Sequence, residues 1–375
     1  MSFRYQAAIN KPGYNPLAAP TPQYLPYLYS WGQNNIGQLG LGNTTYKSSP
    51  NQIGALSNWL NVSAGYVHTV SIKTDGTLWS WGQNQNGQLG IGNITYYSSP
   101  KQVGSLTNWT TIASGARSSY AIKTDGTLWS WGYDNYGQLG LNTRANYSSP
   151  KQIGALTSWL NVGAGSYFAL ATKTDGTLWG WGQNNFGQLG LGNTTYYSSP
   201  KQVGSLTNWL NVHCGQYNTI VIKTDGTLWG WGYNRQGQLG INVNTINYSS
   251  PKQIGALTTW SKSISFYRST LAIKTDGTLW SWGHNNYGQL GLGNQNNYSS
   301  PMQVGSLTNW LNLGAGKYHV LSVKTNGTLW AWGFNGQGQL GLNSTFNYSS
   351  PKQIGALTTW LGAAGGQYFS LGLAY

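Results

Sequence analysis

The chain has 375 residues, of which 20 are lysine or arginine and six are acidic, for a formal net charge of +14. Only 7% of residues are charged, and all six acids are aspartate. A single cysteine, Cys214, excludes an intramolecular disulfide. No apolar run approaches the ~18 residues of a membrane-spanning helix, and the N-terminus lacks the basic segment, apolar core and cleavage site of a signal peptide.

Residues 1–27 fit no repeat and carry Pro12, Pro16, Pro20, Pro22 and Pro26, which favour extended backbone over helix. They read as a docking arm, with Phe3, Arg4, Tyr5, Tyr14 and Leu17 as its contact candidates. From Leu28 onward one unit recurs seven times. Trp-Gly falls at Trp31, Trp81, Trp131, Trp181, Trp231, Trp282 and Trp332, a spacing of 50 residues with a single 51. A second tryptophan precedes it by two positions, as at Trp79, with Tyr29 in that slot in the first copy. A third set runs from Trp59 to Trp360. Such self-similarity means a solenoid or propeller, because one unit cannot bury its own apolar face.

Within a unit, Thr77 to Trp81 alternates large and small side chains as a strand does. A long glycine-rich loop is expected next, with Gly37-Gln38-Leu39-Gly40 and Ser48-Ser49-Pro50 as its fixed points. Gln52-Ile53 and Trp59 to Val62 read as short strands. Val70 and Ile72 alternate with Ser71 and Lys73 in the next, and Asp75-Gly76 predicts a primed two-residue hairpin turn. Sustained helical periodicity is missing. The first copy lacks the strand and hairpin that should precede Leu28, and the last copy stops at Tyr375, where its hairpin should come. Pairing the two ends would close a ring and remove two open sheet edges. The expectation is an all-β, seven-bladed β-propeller spanning residues 28–375, closed by its N- and C-terminal strands, with the arm at 1–27.

Leu-Trp-Ser-Trp-Gly, Gly-Gln-Leu-Gly, Ala-Gly and Lys-Thr-Asp-Gly, in that order, closely resemble the regulator of chromosome condensation repeat. The resemblance covers residues 28–375 and implies the same seven-bladed, mixed-termini propeller. It implies little about activity, since function lives in sites grafted on a fold. No insertion matches the protruding wedge of the small-GTPase exchange factors that share the repeat. Gly65-Tyr66-Val67-His68-Thr69 resembles a plant photoreceptor motif but has Tyr66 in its Trp slot, and the other copies place Ala116, Ser166, Gln216, Tyr267, Lys317 and Gln367 there. The tryptophans therefore read as core. The β-lactamase inhibitory protein shares the architecture, with the ring as a binding face. The near-identical copies also resemble propellers from phage and environmental bacteria.

No constellation points to catalysis, a cofactor or a metal. Asp75, Asp125, Asp175, Asp225 and Asp276 read as turn residues, a role Asn326 takes in the sixth hairpin although it cannot act as a base. His68, His213, His284 and His319 occupy three different slots of the unit, without ligand spacing. Eleven of the 20 basic residues sit in two repeated slots, so they should be spread around the ring rather than form a nucleic-acid stripe.

An internally repeated chain carries its own control: fixed positions serve the fold and variable ones are free or specialised. One variable slot reads Val67, Arg117, Tyr167, Tyr217, Arg268, Tyr318 and Tyr368; beside it stand His68, Phe168, Asn218, His319 and Phe369. Tyr and Arg anchor binding sites. The expected partner face comprises Tyr66, His68, Arg117, Tyr167, Phe168, Tyr217, Tyr267, Arg268, Tyr318, His319, Tyr368 and Phe369. Phe266 replaces a glycine repeated in the other copies, as at Gly65, and such a lost rule can mark a functional site. The segments after Trp-Gly and before Ser-Ser-Pro also vary.

These features lead to the expectation of a non-enzymatic virion component of a phage, made in the host cytoplasm and attached to other virion proteins through its arm. Its variable face would touch a host-surface glycan or protein, and it would self-associate only within an assembly. The alternative is a freestanding lectin-like or protein-binding propeller, cytoplasmic or released by a non-classical route.

Overall fold

A computed structural model describes residues 25–375; Phe3, Arg4, Tyr5, Tyr14 and Leu17 of the arm lie outside the described residues. Among the described residues the chain forms 28 strands and no helix. It opens with β1 (Tyr27–Gly32) and β2 (Lys47–Gln52). The first complete blade follows: β3 (Trp59–Ala64), β4 (His68–Lys73), β5 (Leu78–Gly82) and β6 (Tyr97–Gln102). Blades 2 to 6 repeat it as β7–β10 (109–152), β11–β14 (159–202), β15–β18 (209–253), β19–β22 (260–303) and β23–β26 (310–353). The chain ends with β27 (Trp360–Gly365) and β28 (Phe369–Ala374).

Each blade is a four-stranded sheet whose first strand lines a central channel. The seventh blade joins the two ends in the order β2-β1-β28-β27. There β1 and β28 pair antiparallel over six residues, from Tyr27 opposite Ala374 to Gly32 opposite Phe369. The closure expected from the complementary ends is therefore made by backbone hydrogen bonds, and it leaves no blade without a neighbour.

The tryptophans are the mortar. Trp81 is fully buried, and its indole N–H donates to the Gln38 carbonyl of the blade before it at 3.0 Å. Trp31 closes the ring in the same way on Gln339, at 2.9 Å. Trp59 meets Trp79 and Trp81 edge-on, with centroids 6.2 and 5.9 Å away. Burying such a ring removes roughly 150–250 Å² from water, on the order of 5 kcal/mol. Gln38 can reach the indole because Gly40 takes φ +73° and its missing side chain leaves room for the ring of Trp81.

Two local expectations are corrected. Ser48-Ser49-Pro50 lie inside β2 rather than in a loop. This is the outermost strand of its blade, where the missing proline N–H costs no ladder bond. The Asp-Gly hairpin is not a primed two-residue turn. The Gly76 N–H donates to the Lys73 carbonyl and the Lys73 N–H to the Thr77 carbonyl, with only Gly76 at positive φ. That is a three-residue turn with glycine in the left-handed position. Asp75 Oδ1 accepts from the Thr77 N–H and hydroxyl at 2.9 and 2.6 Å, and Trp79 Nε1 donates to Thr77 Oγ1 at 2.8 Å. Asn326 accepts the same pair from Thr328, as expected of a turn residue.

Candidate functional site

The blades present two chemically distinct ends. At one end lie the hairpin joining the first two strands and the loop after Trp-Gly, linked by Gln83 N–H donating to the Val67 carbonyl at 2.9 Å. This is the Trp-Gly face. The other end carries the Asp-Gly turns and the loops leading to the next blade, linked by Thr74 N–H to the Asn58 carbonyl at 2.9 Å.

On the Trp-Gly face the slot of Arg117, Tyr167, Tyr217, Arg268, Tyr318 and Tyr368 is half-buried. The tip of one blade packs on the hairpin of the next. Tyr136 of blade 2 lies 5.1 Å from Tyr167 of blade 3, Phe186 of blade 3 lies 5.1 Å from Tyr217 of blade 4, and Phe334 of blade 6 lies 5.7 Å from Tyr368 of blade 7. The densest cluster gathers Tyr267, His284, Tyr287 and Phe334 around Tyr318, with Tyr267 at 4.8 Å and Tyr287 at 4.9 Å. The outward part of the expected partner face is thus an arc. Blade 1 offers Val67, Gln83 and Asn86 at the corresponding positions and leaves its seam bare.

Cations sit in this arc. The Arg268 guanidinium lies 5.3 and 5.0 Å from the Tyr233 and Tyr267 rings, and Lys317 Nζ lies 5.0 Å from both Tyr267 and Tyr318. Arg117 is half-buried, and Arg144 and Arg235 are exposed on neighbouring loops. The face carries no exposed carboxylate: its one acid, Asp134, is fully buried, and the five turn aspartates lie at the opposite end. Those five are held below the usual carboxylate range, chiefly by the threonine hydroxyl each accepts, and so remain ionised.

Four predicted contact residues are corrected. His68, Phe168, His319 and Phe369 are fully buried. Strand alternation turns the slot after the hairpin inward, and the ring there lies across the glycine three positions earlier. A Cβ on Gly65 would fall within the His68 ring, and one on Gly165 within the Phe168 ring. His68 Nε2 sits 3.0 Å from Ser119 Oγ, whose hydroxyl donates to the Gln88 carbonyl at 2.8 Å. Nε2 therefore carries the proton, and burial pulls the imidazole down to about 3. His319 repeats this with Ser370 and is also pulled down to about 3.

Phe266 is explained by the same packing. In blade 5 the bulky ring stands at the glycine position and Ser269 takes the inward slot, where blades 1, 3, 6 and 7 carry His or Phe, blade 2 Ser118 and blade 4 Asn218. Phe266 thus supplies from the glycine position the ring that those four blades supply from the later slot. The exchange lengthens β19 (Trp260–Phe266) and tightens its hairpin, which places Tyr267 at φ +40° in the densest cluster. Tyr66 points elsewhere. Its hydroxyl reaches Ser166 Oγ of blade 3 at 2.7 Å, over the small Ala116 of blade 2, and burial pushes it up to about 12. It spans the mouth of the channel instead of joining the arc.

Lys317 and the loop-tip aromatics Tyr133, Tyr136, Phe186, Tyr233, His284, Tyr287 and Phe334 join the arc from outside the partner face expected from the sequence. Their signal was present, since these tips are among the segments that vary most between copies. Cys214 lines the channel, and burial pushes its thiol up to about 12. Among the described residues no group of three His, Cys, Asp or Glu could hold a metal, and no helix is long and apolar enough to cross a membrane.

The regulator of chromosome condensation (RCC1) repeat matches seven segments: residues 27–72, 75–122, 125–172, 175–222, 225–266, 276–323 and 326–373. The chain belongs to this family. Among solved structures it is similar to Prp20p of Saccharomyces cerevisiae, a protein described with its binding to Gsp1p and histones. The two share 19% identity over 94% of this chain and 92% of that one, with a TM-score of 0.84. It is similar also to human WBSCR16, at 19% identity over 93% and 98% of the two chains and a TM-score of 0.83. Likeness at this level establishes the RCC1-type propeller fold. No curated protein matches the chain in sequence.

Proposed function

We propose that this propeller is a non-enzymatic interaction protein that presents its Trp-Gly face to an anionic partner surface. One observation carries the reading: an aromatic arc interleaved with Arg117, Arg268 and Lys317 on a face without exposed carboxylates. Tyrosine and arginine supply contact area and hydrogen bonding at low entropic cost, and a like-signed face steers an oppositely charged partner. Prp20p, described as binding Gsp1p and histones, shows that this fold can serve partner recognition. The triple variant Arg117→Ala, Tyr167→Ala, Tyr318→Ala should lose partner binding while melting as the parent does. Full affinity in a folded triple variant would refute the assignment of this face.

The finer reading is a phage virion component docked through residues 1–27. The Pro26 carbonyl accepts from the Trp59 N–H, in the place that the Gly76 carbonyl takes for Trp109. The chain therefore enters the propeller at the Asp-Gly face, the end opposite the aromatic arc. That arrangement suits a particle-attached protein whose other face meets a host-surface glycan or protein. Gradient fractionation of source lysate should find the chain with particles, and deleting residues 1–24 should release it. Recovery only as a soluble species would favour the freestanding binding module.

A further inference from the structure

The central channel encloses about 430 Å³ and is lined by all seven inner strands. Near its Asp-Gly end one tier of side chains comes from equivalent positions of the seven blades: Asn61, Thr111, Asn161, Asn211, Lys262 and Asn312, with Gly362 contributing none. Six are neutral. Asn161 and Asn312 tie their blade to the next by donating to the Leu210 and Leu361 carbonyls at 3.2 and 2.9 Å. Lys262 makes the same tie, from Nζ to the Leu311 carbonyl and to Asn312 Oδ1, both at 2.6 Å.

An asparagine would secure that seam without placing a charge in the channel wall. The ammonium has two neutral acceptors and no carboxylate beside it, and burial alone lowers its pKa. Desolvating an unpaired cation costs several kcal/mol. One of its three N–H groups remains unused. The Asn61 and Asn211 amides and the Thr111 hydroxyl stand in the same tier without a side-chain hydrogen-bond partner among the described residues.

We propose that this tier is a binding site for a small oxyanion, carboxylate or phosphate, held by the Lys262 ammonium and by the Asn61, Asn211 and Thr111 side chains. The bound anion supplies the counter-charge that the wall lacks. The site is separate from the aromatic arc and does not depend on its role.

The test uses the full chain and its Lys262→Asn variant, which restores the residue found in other blades. Calorimetric titrations with citrate and with inorganic phosphate, at fixed ionic strength set with chloride, should show one saturable site in the parent. Affinity should fall at least about tenfold in the variant. In chloride alone the variant should melt at or above the parent's temperature, whereas a merely structural lysine would make it melt lower. Preference for citrate would mark a carboxylate ligand and preference for phosphate a phosphorylated one. No saturable binding of either anion, or equal affinity in parent and variant, would overturn the proposal.

Discussion

Asp134 offers the sharpest test of the internal-control argument. In six blades this loop position is asparagine. Asn34 accepts the Leu39 N–H at 3.0 Å and donates Nδ2 to the Asn43 and Thr45 carbonyls at 3.0 and 3.1 Å. Asn84 and Asn285 do the same. Asp134 keeps the acceptor half, taking the Leu139 N–H at 2.8 Å, but an ionised carboxylate has no hydrogen with which to replace the other half. Burial pushes its carboxyl up to about 7, against small opposing effects from the Leu139 and Thr143 hydrogen bonds and the Arg144 charge. Tyr120, across the core, is neutral throughout this range. At about 1.4 kcal/mol per pH unit, ionising Asp134 in the folded chain costs on the order of 4 kcal/mol. The folded chain holds the proton more tightly than the unfolded one. The stability tied to Asp134 is therefore fully present below pH 3.8, is lost as pH rises toward 7, and changes no further above that. Asp134→Asn should match the parent near pH 4 and exceed it by about 2–4 kcal/mol at pH 8. Urea unfolding of both proteins at half-unit intervals from pH 4 to 8.5 isolates this group as a difference curve. A flat difference, or a variant less stable at pH 8, would refute the reasoning.

The parent's own profile should run the other way at acid pH. His68 and His319, pulled down to about 3, and His213, pulled down to about 4, stay neutral in the fold, so stability present above 6.5 is lost as pH falls and the unfolded chain takes up protons. The double variant His68→Phe, His319→Phe, which copies blades 3 and 7, should flatten the fall in melting temperature between pH 6.5 and 4; an unchanged slope would exclude these two residues as its source. Gly165→Ala should cost about 1–3 kcal/mol by driving a methyl into the Phe168 ring. Adding Phe168→Ser, the pairing seen at Phe266 and Ser269, should return part of that loss, and strict additivity in denaturant unfolding would contradict the ring-exchange account.

Seven blades and their closure were legible because each blade has the same requirements. Trp81 donates to the backbone carbonyl of residue 38 through the space that Gly40 leaves open, so Trp81 and Gly40 are tied to each other, and the joint reappears every 50 residues. The hairpin sites were legible only to within one residue. Val67 and His68 are adjacent and both vary, yet one faces outward and the other lies under Gly65. Composition cannot fix that parity, which depends on the turn geometry. Blade 5 pairs Phe266 at the glycine position with the small Ser269, whereas blade 2 keeps Gly115 beside the equally small Ser118, so the sequence pairing alone does not fix the parity either. Pro50 is illegible for a related reason, since nothing local tells an outermost strand from a loop when its partner tolerates a missing N–H.

Departures from the repeat therefore fall into two physical kinds. Phe266 with Ser269 is compensated in place, and the blade keeps its packing. Asp134 and Lys262 are not compensated by any neighbour: one puts a carboxylate where six blades donate a hydrogen bond, and the other puts an ammonium where six blades are neutral. A scaffold copied seven times supplies a satisfied alternative at both positions, an asparagine in each case. Selection for stability alone would favour that alternative; at Lys262 the unpaired charge is the one that the proposed anion would complete.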